Sequence, residues 1–245
     1  MKAEIISIGD ELLIGQVINT NQAFIAQKMN SIGVAVQTMT TVGDTEYEIS
    51  SSFDNAWDKS QIVLVTGGLG PTHDDITRQV VCNFFEDTLV MNDEALQNIH
   101  RIVQGRNLRM RSELEEQALV PQKSVVIQNA IGTAPGIMYE KDGKYFFVMP
   151  GVPREMELMM TNFIIPLLQE KISGTVIRHR TLKTVGIAES FLALRMGSIE
   201  TLLNNHPTTT LAFLPQIFSV RLRITVHEQS IERAEEQIHF VEKNI

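Results

Sequence analysis

Short apolar runs alternate with amphipathic stretches over the first part of the chain. The apolar runs, such as "AEIISIG" and "QIVLV", are rich in β-branched residues, which is typical of buried strands. The stretches between them carry helix signals, such as Thr45 followed three residues later by Glu48. The predicted strands and helices span, in order, residues 3–9, 19–33, 34–44, 45–60, 61–68 and 74–87.

This alternation predicts a three-layer α/β domain, in which a mainly parallel sheet carries helices on both faces. In such sheets ligands bind beyond the carboxyl ends of the strands. The loops after the three predicted strands read "GDELLIG", "VGDT" and "TGGLGPTHDD". We therefore expect these three loops to meet at one edge of the sheet.

The rest of the chain follows two further patterns. Residues 92–122 are mostly helical and polar, and a hairpin with Asp142-Gly143 at its turn precedes a long helix over 154–172. After Gly174 the pattern changes to that of a small β-α-β-β-α lobe. The predicted domains are residues 1–170 and 174–245.

Composition narrows the function classes. The net charge of −8 disfavours nucleic acid as a partner, since phosphate-backbone binding needs clustered cations. The basic stretch 101–111 is a local exception, which is either a solvated helix face and loop or a phosphate-contacting patch. The single cysteine, Cys82, excludes an intramolecular disulfide, and no apolar run is long enough to cross a bilayer. We expect a cytoplasmic protein with a small-molecule ligand and no membrane partner.

The turn "TGGLGPTHDD" carries the most chemical information. Gly67, Gly68 and Gly70 allow positive φ angles and close approach, and successive N–H groups in such a turn bind anions. Thr66 and Thr72 can add hydroxyl donors. From spacing alone, a phosphate site and a purely structural turn are about equally well supported.

Two adjacent acids follow this turn, and we expect them where the next helix begins. Asp74 and Asp75 would repel a phosphate unless a cation lay between the carboxylates and the phosphate. The pattern therefore predicts a Mg²⁺-type site for a phosphorylated ligand. Asp44 and the pair Asp10-Glu11 end neighbouring strands and could supply further ligands. For Asp10 and Asp44, turn capping is the equally supported alternative.

Two later loops, "GTAPG" and "MPGVPREM", are also rich in backbone donors. They contain Thr133 and Gly151, and Arg154 follows the second loop at a predicted helix start. Arg154 could bind a phosphate with both arms of its guanidinium, or it could face water.

The motifs "GDELLIGQVINTN", "TVGDT", "TGGLGPTHDDIT", "IGTAPG" and "MPGVPREM", in this order, resemble the N-terminal module of the CinA competence/damage-inducible family. That module is similar to the molybdopterin-binding proteins MoaB, MogA and MoeA. The segment "TVGIAESFLALRMGSI" and the strands after it resemble the KH-type lobe that follows this module in CinA proteins. The resemblance implies divalent-metal-dependent hydrolysis of ADP-ribose to AMP and ribose 5-phosphate, with Mg²⁺, Mn²⁺ or Co²⁺ and a K⁺ dependence, in a homodimer. The alternatives are a pterin-binding protein of the molybdenum-cofactor type and a catalytically impaired scaffold.

The resemblance also implies site residues. Asp75, Asp44 and Glu11 are the candidates for catalysis, and Asp75, Asp44 and Asp74 are those for metal binding. The residues expected to bind substrate are Thr66, Gly67, Gly68, Gly70, Pro71, Thr72, Asn21, Thr133, Gly151 and Arg154.

The chain departs from the family pattern in two respects. Leu114 and Glu116 stand where the family usually has an asparagine and a lysine, which predicts weaker phosphate binding if position 116 faces the site. Many members continue into a nicotinamide-mononucleotide deamidase domain, whereas this chain stops after the KH-type lobe, so we expect no deamidase activity from it.

Overall fold

The computed structural model describes residues 1–107, 109–172, 176–203 and 206–245. The chain forms two compact units, Met1–Met29 with Val34–Glu170, and Asn30–Gly33 with Lys171–Ile245. Gly174, the predicted domain boundary, lies outside the described residues.

The first unit contains eight strands, and its elements follow one another in this order. They are β1 (Lys2–Ile8), α1 (Asp10–Leu13), α2 (Thr20–Ser31), β2 (Ala35–Val42), α3 (Glu46–Lys59), β3 (Ile62–Thr66), α4 (Thr77–Phe84), β4 (Leu89–Met91), α5 (Asp93–Gly105), α6 (Ser112–Glu115), a 3₁₀ turn (Glu116–Ala118), β5 (Leu119–Pro121), β6 (Val125–Ile127), β7 (Gly136–Lys141), β8 (Lys144–Met149), α7 (Pro153–Met159), a π-helical segment (Met160–Ile164) and α8 (Ile165–Lys171).

The central sheet has the strand order β2-β1-β3-β8-β7-β6. Strands β2, β1, β3 and β8 are mutually parallel, and β7 runs against them. Thr66, near the end of β3, pairs with Ser7 of β1 and with Met149 of β8. The carboxyl ends of the parallel strands are therefore level, which confirms the predicted mainly parallel α/β fold.

The central strands β1, β3 and β8 are almost entirely buried, as their apolar runs predict. All five residues of β3 are buried. On one face, α3 places Phe53 against Phe146 of β8, with ring centroids 5.0 Å apart. The methionines at 156, 159 and 160, in the helical region after β8, are also buried. The loops at the sheet edge thus rest on a rigid, closely packed base.

Several element boundaries differ from the predictions. Helix α4 begins at Thr77, so Asp74 and Asp75 lie in the preceding turn and not at the start of the helix. Part of the loop "GDELLIG" forms the short helix α1. The predicted helix over 154–172 includes a π-helical segment just before Pro166, because proline has no N–H and crowds the carbonyl of the preceding turn. The short pair β4–β5 was not predicted.

Local turn and cap signals were reliable. Asp142 and Gly143 both have positive φ, 55° and 73°, at the tip of the β7–β8 hairpin, as a two-residue hairpin turn requires. Asn19 caps α2, since its side chain accepts a hydrogen bond from the N–H of Gln22. Thr45 caps α3 by accepting from the N–H of Glu48, which confirms the predicted capping motif.

We expect Thr45→Ala to lower the free energy of unfolding by about 1 kcal/mol, because the first turn of α3 loses its capping acceptor. Urea denaturation followed by circular dichroism measures the change. Ser51→Ala, within the same helix, serves as the control and should be neutral or slightly stabilising. Equal midpoints for Thr45→Ala and the wild type would contradict the prediction.

The second unit consists of β9 (Val176–Val185), α9 (Glu189–Met196), α10 (Ile199–Leu202), β10 (Thr209–Gln216), β11 (Ser219–Glu228) and α11 (Ile231–Asn244). Its antiparallel sheet has the order β10-β11-β9. Ile224 and Val226 of β11 pack against Ala234, Ile238 and Val241 of α11. This is the predicted β-α-β-β-α lobe with its helical connection divided into α9 and α10.

Among the described residues, no helix combines the length and the apolar character that crossing a bilayer requires. Cys82 is buried in α4, where burial raises the pKa of its thiol. This environment fits a structural thiol.

Candidate active site

A cavity of about 380 Å³ lies at the carboxyl ends of the parallel strands of the first unit. Loops after β1, β2, β3 and β8 line it, together with the loop before β7. The predicted site residues that line it are Glu11, Asp44, Gly67, Gly68, Gly70, Pro71, Asp74, Asp75, Thr133 and Gly151.

The glycine turn is required by packing as well as by any ligand. Gly67 has a φ of 114°, and a Cβ at this position would overlap the carbonyl oxygen of Ile8 in β1. Gly68 has a φ of 65° and lies against the side chain of Thr77. Glycine therefore lets the chain turn sharply where β3 lies beside β1.

The same turn leaves three successive backbone donors unused. Within the described part of the chain, no hydrogen bond involves the N–H groups of Gly68, Leu69 or Gly70. The N–H of Gly67, in contrast, donates to the carbonyl of Met149, 3.1 Å away. Because all three residues line the cavity, their N–H groups are available to an anion.

Asp75 closes the turn that follows. Its Oδ2 accepts a hydrogen bond from the N–H of Thr72 at 2.9 Å and another from the Thr72 hydroxyl. Thr72, a predicted substrate donor, therefore uses its hydroxyl on Asp75, and it does not line the cavity. Asp74 and His73 are exposed at the tip of this turn.

Asp44 is held by the loop after β1. The N–H of Asp10 donates to Asp44 Oδ2 at 2.9 Å, and the N–H of Asp44 donates to Asp10 Oδ1 at 3.4 Å. Burial raises the pKa of Asp44, and the negative charges of Asp10, Glu11 and Asp74 raise it further, whereas the hydrogen bond from Asp10 lowers it. The mutual bonds of Asp10 and Asp44 are the predicted turn capping, and Asp44 in addition lines the cavity.

Asp44→Asn should stabilise the metal-free protein at pH 7, by less than about 1 kcal/mol because the group is partly solvated. Because the pKa of Asp44 is raised in the folded protein, the carboxylate ionises more easily in the unfolded chain. The wild type therefore loses stability as the pH rises from 3.8, the ordinary pKa, through the raised pKa of the folded protein. Below that window both side chains are neutral and the gain should disappear. Urea midpoints measured with EDTA at several pH values test this. A less stable variant at pH 7 would contradict the prediction.

Asn21 and Thr66 lie beside the cavity and hold its wall together. The Asn21 amide donates to Thr66 Oγ1 at 3.1 Å and to the carbonyl of Gly151 at 2.8 Å. The Thr66 hydroxyl donates to the carbonyl of Pro150 at 2.9 Å. Both side chains line a smaller neighbouring cavity of about 90 Å³ and do not line the main one. Their donors position the loop after β8.

Arg154 does not line the cavity. Its side chain is 71% exposed, and its guanidinium lies 3.5 Å from the Glu157 carboxylate, one helical turn further on. Of the two alternatives for Arg154, the structure therefore shows the side chain that faces water, with a carboxylate three residues further on beside it.

Two polar side chains that the sequence analysis did not predict, Gln117 and Glu155, are among the described residues that line the cavity. Gln117 is buried and donates to the carbonyl of Leu69 at 3.3 Å, while its Oε1 has no partner among the described residues. Glu155 accepts a hydrogen bond from the Asn129 amide at 2.7 Å. The sequence signal for Gln117 was a polar residue beside the apolar run "ALVP", which periodicity alone does not distinguish from a surface position.

The two departures from the family pattern lie outside the cavity lining. Leu114 packs against the apolar cluster formed by α5 and Ala118. Glu116 is exposed, and its charge acts on Arg78. Burial lowers the pKa of the Arg78 guanidinium, and the negative charges of Glu116 and Asp75 oppose that shift.

The donor set of the cavity is acidic. Among the described residues that line it, five are acids and none is a lysine, arginine or histidine; the acids are Glu11, Asp44, Asp74, Asp75 and Glu155. No group of three His, Cys, Asp or Glu side chains that could hold a metal occurs in the described chain. A cation here would therefore take one or two carboxylates from the protein and its other ligands from substrate and water, as Mg²⁺ commonly does.

Comparison with known proteins identifies the family. Residues 4–170 match the family model described as "Probable molybdopterin binding domain", and residues 179–245 match the "Damage-inducible protein CinA KH domain". The chain belongs to the CinA family.

Similar proteins agree with this assignment. The CinA-like protein of Flavobacterium psychrophilum is 40% identical over 227 residues, which cover 92% of this chain and 54% of that protein. The CinA-like protein of Chloroherpeton thalassium is 40% identical over 241 residues, covering 97% of this chain and 57% of that protein. The chain thus spans little more than half the length of these CinA relatives.

A solved CinA structure shares the fold. The crystal structure of the CinA protein from Thermoplasma acidophilum, a protein described as being of unknown function, matches with a TM-score of 0.62 and 32% sequence identity. The match covers 68% of this chain and 97% of that one.

Proposed function

We propose that this CinA-family chain hydrolyses ADP-ribose to AMP and ribose 5-phosphate with the help of a divalent cation. The observation that carries the proposal is the pairing of opposite chemistries in one cavity. Three unbonded N–H groups at Gly68–Gly70 suit a phosphate, while five carboxylates around them suit a cation. A pyrophosphate with its bound cation satisfies both sets of groups.

In this scheme the chain's own residues bind the pyrophosphate and its cation and orient them. The N–H groups of the glycine turn hold oxygens of the pyrophosphate, and Pro71 and Thr133 shape the walls. Asp44 and Asp75 would hold the cation, with Asp74 and Glu155 adding negative charge. When bound, a divalent cation neutralises phosphate charge and polarises the phosphorus.

Glu11 is the proposed general base. It lines the cavity and is exposed, and it follows β1 beside the glycine turn. A carboxylate there can accept a proton from the attacking water. The water oxygen bonds to one phosphorus while the bridging P–O bond breaks, and the proton ends on the departing phosphate, so that AMP and ribose 5-phosphate form.

The direct test is incubation with ADP-ribose and Mg²⁺, Mn²⁺ or Co²⁺, with and without K⁺, followed by chromatographic detection of AMP. EDTA should stop the release. Reaction in ¹⁸O-labelled water shows which phosphorus is attacked, because the label enters either AMP or ribose 5-phosphate. Absence of AMP with every metal would reject the proposal.

Glu116→Lys should change the rate of AMP release by less than about twofold, because the side chain is exposed and outside the cavity lining. Initial rates of the variant and the wild type over a range of ADP-ribose concentrations, from well below to well above KM, measure this. A large gain would mean that position 116 reaches the substrate and that the missing lysine limits the reaction.

Pterin binding is the second candidate, and the description of the matching domain model favours it. A pterin-binding protein would quench the fluorescence of an added pterin and release no AMP from ADP-ribose. The two activities can therefore be separated with one protein sample.

A further inference from the structure

A second cleft adjoins the candidate active site. It has a volume of about 550 Å³ and shares Pro71 with the main cavity. Its other described lining residues are Asn107, Arg109, Arg111, Glu113 and Leu114. Whereas the main cavity has acids and no cations among its described lining residues, this cleft carries two guanidinium groups.

The backbone places these arginines at the cleft. Helix α5 ends just before Asn107, whose φ of 53° is the left-handed conformation that ends many helices. Arg111 directly precedes α6, and Leu114 of that helix is anchored in the apolar cluster beneath it. The two arginines therefore lie on a short connection with fixed ends beside Pro71.

Four arginines of the basic stretch differ in how they are held. The guanidinium of Arg101 donates to Asn98 Oδ1 at 2.6 Å and to the carbonyl of Ala130 at 3.4 Å, and that of Arg106 donates to the carbonyl of Ile131 at 2.8 Å. Within the described residues, neither Arg109 nor Arg111 has a hydrogen bond or ion pair from its side chain. These two remain available to a ligand.

The chemistry of the cleft suits a planar heteroaromatic ring. Guanidinium planes stack on such rings, Pro71 and Leu114 offer apolar contact, and Asn107 and Glu113 can bond to ring nitrogens and exocyclic amines. A substrate whose pyrophosphate lies in the main cavity would extend past Pro71 into this cleft.

We propose that the cleft formed by Pro71, Asn107, Arg109, Arg111, Glu113 and Leu114 binds the nitrogen-heteroaromatic ring of the substrate. The inference rests on the proposed function for the placement of the phosphates in the main cavity. An adenine and a pterin share the required ring chemistry, and the experiment distinguishes them.

The test compares AMP with ribose 5-phosphate, which lacks the base, by calorimetry in the presence of Mg²⁺. In the double variant Arg109→Ala/Arg111→Ala we expect AMP to bind about tenfold more weakly, as for the loss of a base-stacking contact, and ribose 5-phosphate to bind within twofold of the wild type. Neopterin binding, measured by fluorescence, replaces the AMP arm if the ring is a pterin.

The matched control is Arg101→Ala/Arg106→Ala, which removes the same charge from the same stretch where both guanidiniums are already held. It should affect AMP and ribose 5-phosphate equally. Arg111→Lys keeps the positive charge but removes the planar guanidinium that can stack on a ring, so it should weaken AMP binding as well. Circular dichroism and thermal melting establish that each variant is folded.

The outcomes separate the two proposals. Unchanged affinities for AMP and neopterin in the Arg109/Arg111 variant would contradict the proposed ring site. Equal weakening of AMP and ribose 5-phosphate binding would contradict it as well, because it would indicate a general effect on phosphate binding. Failure of the wild type to bind either ring compound would overturn it too. The wild type could bind AMP through these arginines and yet release no AMP from ADP-ribose. That result would contradict the proposed hydrolysis and support the ring-binding cleft.

Discussion

Asp75→Ala is expected to reduce the rate of AMP release from ADP-ribose by about 100-fold or more. Asp75 is a proposed cation ligand, and losing such a ligand should cost at least as much activity as losing a residue that supports one, for which 10- to 100-fold is typical. Asp75 also accepts two hydrogen bonds from Thr72, so the loss of the carboxylate could act through the turn. Initial rates over a range of metal concentrations measure the effect.

Two further variants separate the chemical role of Asp75 from its structural role. Asp75→Asn keeps an oxygen that can accept from the N–H of Thr72 but has no charge, so it should be nearly as slow as Asp75→Ala. Thr72→Val removes the hydroxyl that bonds to Asp75 and leaves the carboxylate, so it should retain most activity. An active Asp75→Asn variant together with an inactive Thr72→Val variant would show that Asp75 only shapes the turn.

Gly67→Ala is expected to destabilise the first unit by about 3 kcal/mol or more. The added methyl group would overlap the carbonyl oxygen of Ile8. In addition, the alanine at position 67 would be held at a φ of 114°, which alanine disfavours. Neither group can move easily, since both belong to backbone at the centre of the sheet. The urea midpoint, followed by far-ultraviolet circular dichroism, measures the loss.

Gly105→Ala is the control for this change. A Cβ at Gly105 would have no neighbour within 4 Å, and the residue lies at the end of α5. The substitution should be neutral or stabilising by about 0.5–1 kcal/mol, because it reduces the freedom of the unfolded chain. If Gly67→Ala were as stable as Gly105→Ala, the turn would have to relax by a backbone shift, and the packing explanation would be wrong.

The position of the candidate site follows from topology and could be predicted. Parallel strands bring their carboxyl ends to one edge, so the loops containing Glu11, Asp44 and Asp75 had to approach one another once the strands had been recognised. Which side chains point into the cavity could not be predicted in the same way. Asn21, Thr66 and Arg154 carry suitable chemistry, yet all three lie outside the lining of the main cavity. Hydrogen bonds hold Asn21 and Thr66 in its wall, and Arg154 faces solvent beside Glu157.

Gln117 and Glu155 illustrate the opposite case. Nothing in their local sequence distinguishes them from surface residues. Gln117 donates a hydrogen bond to the carbonyl of Leu69 in the glycine turn, and Glu155 accepts one from the amide of Asn129 in the loop before β7. Both contacts join segments far apart in the chain, so local patterns do not encode them.

The sequence by itself determined the alternation of strands and helices, the caps and hairpin turn, and the acidic and glycine-rich loops, because these depend on side-chain periodicity and on local backbone preferences. The tertiary structure decided where α4 begins and which donors are used within the wall of the cavity. It also left the N–H groups of Gly68–Gly70, and the side chains of Arg109 and Arg111, without a bond to any other described residue. These features depend on contacts between distant segments, whose geometry is set by the packing of the whole unit.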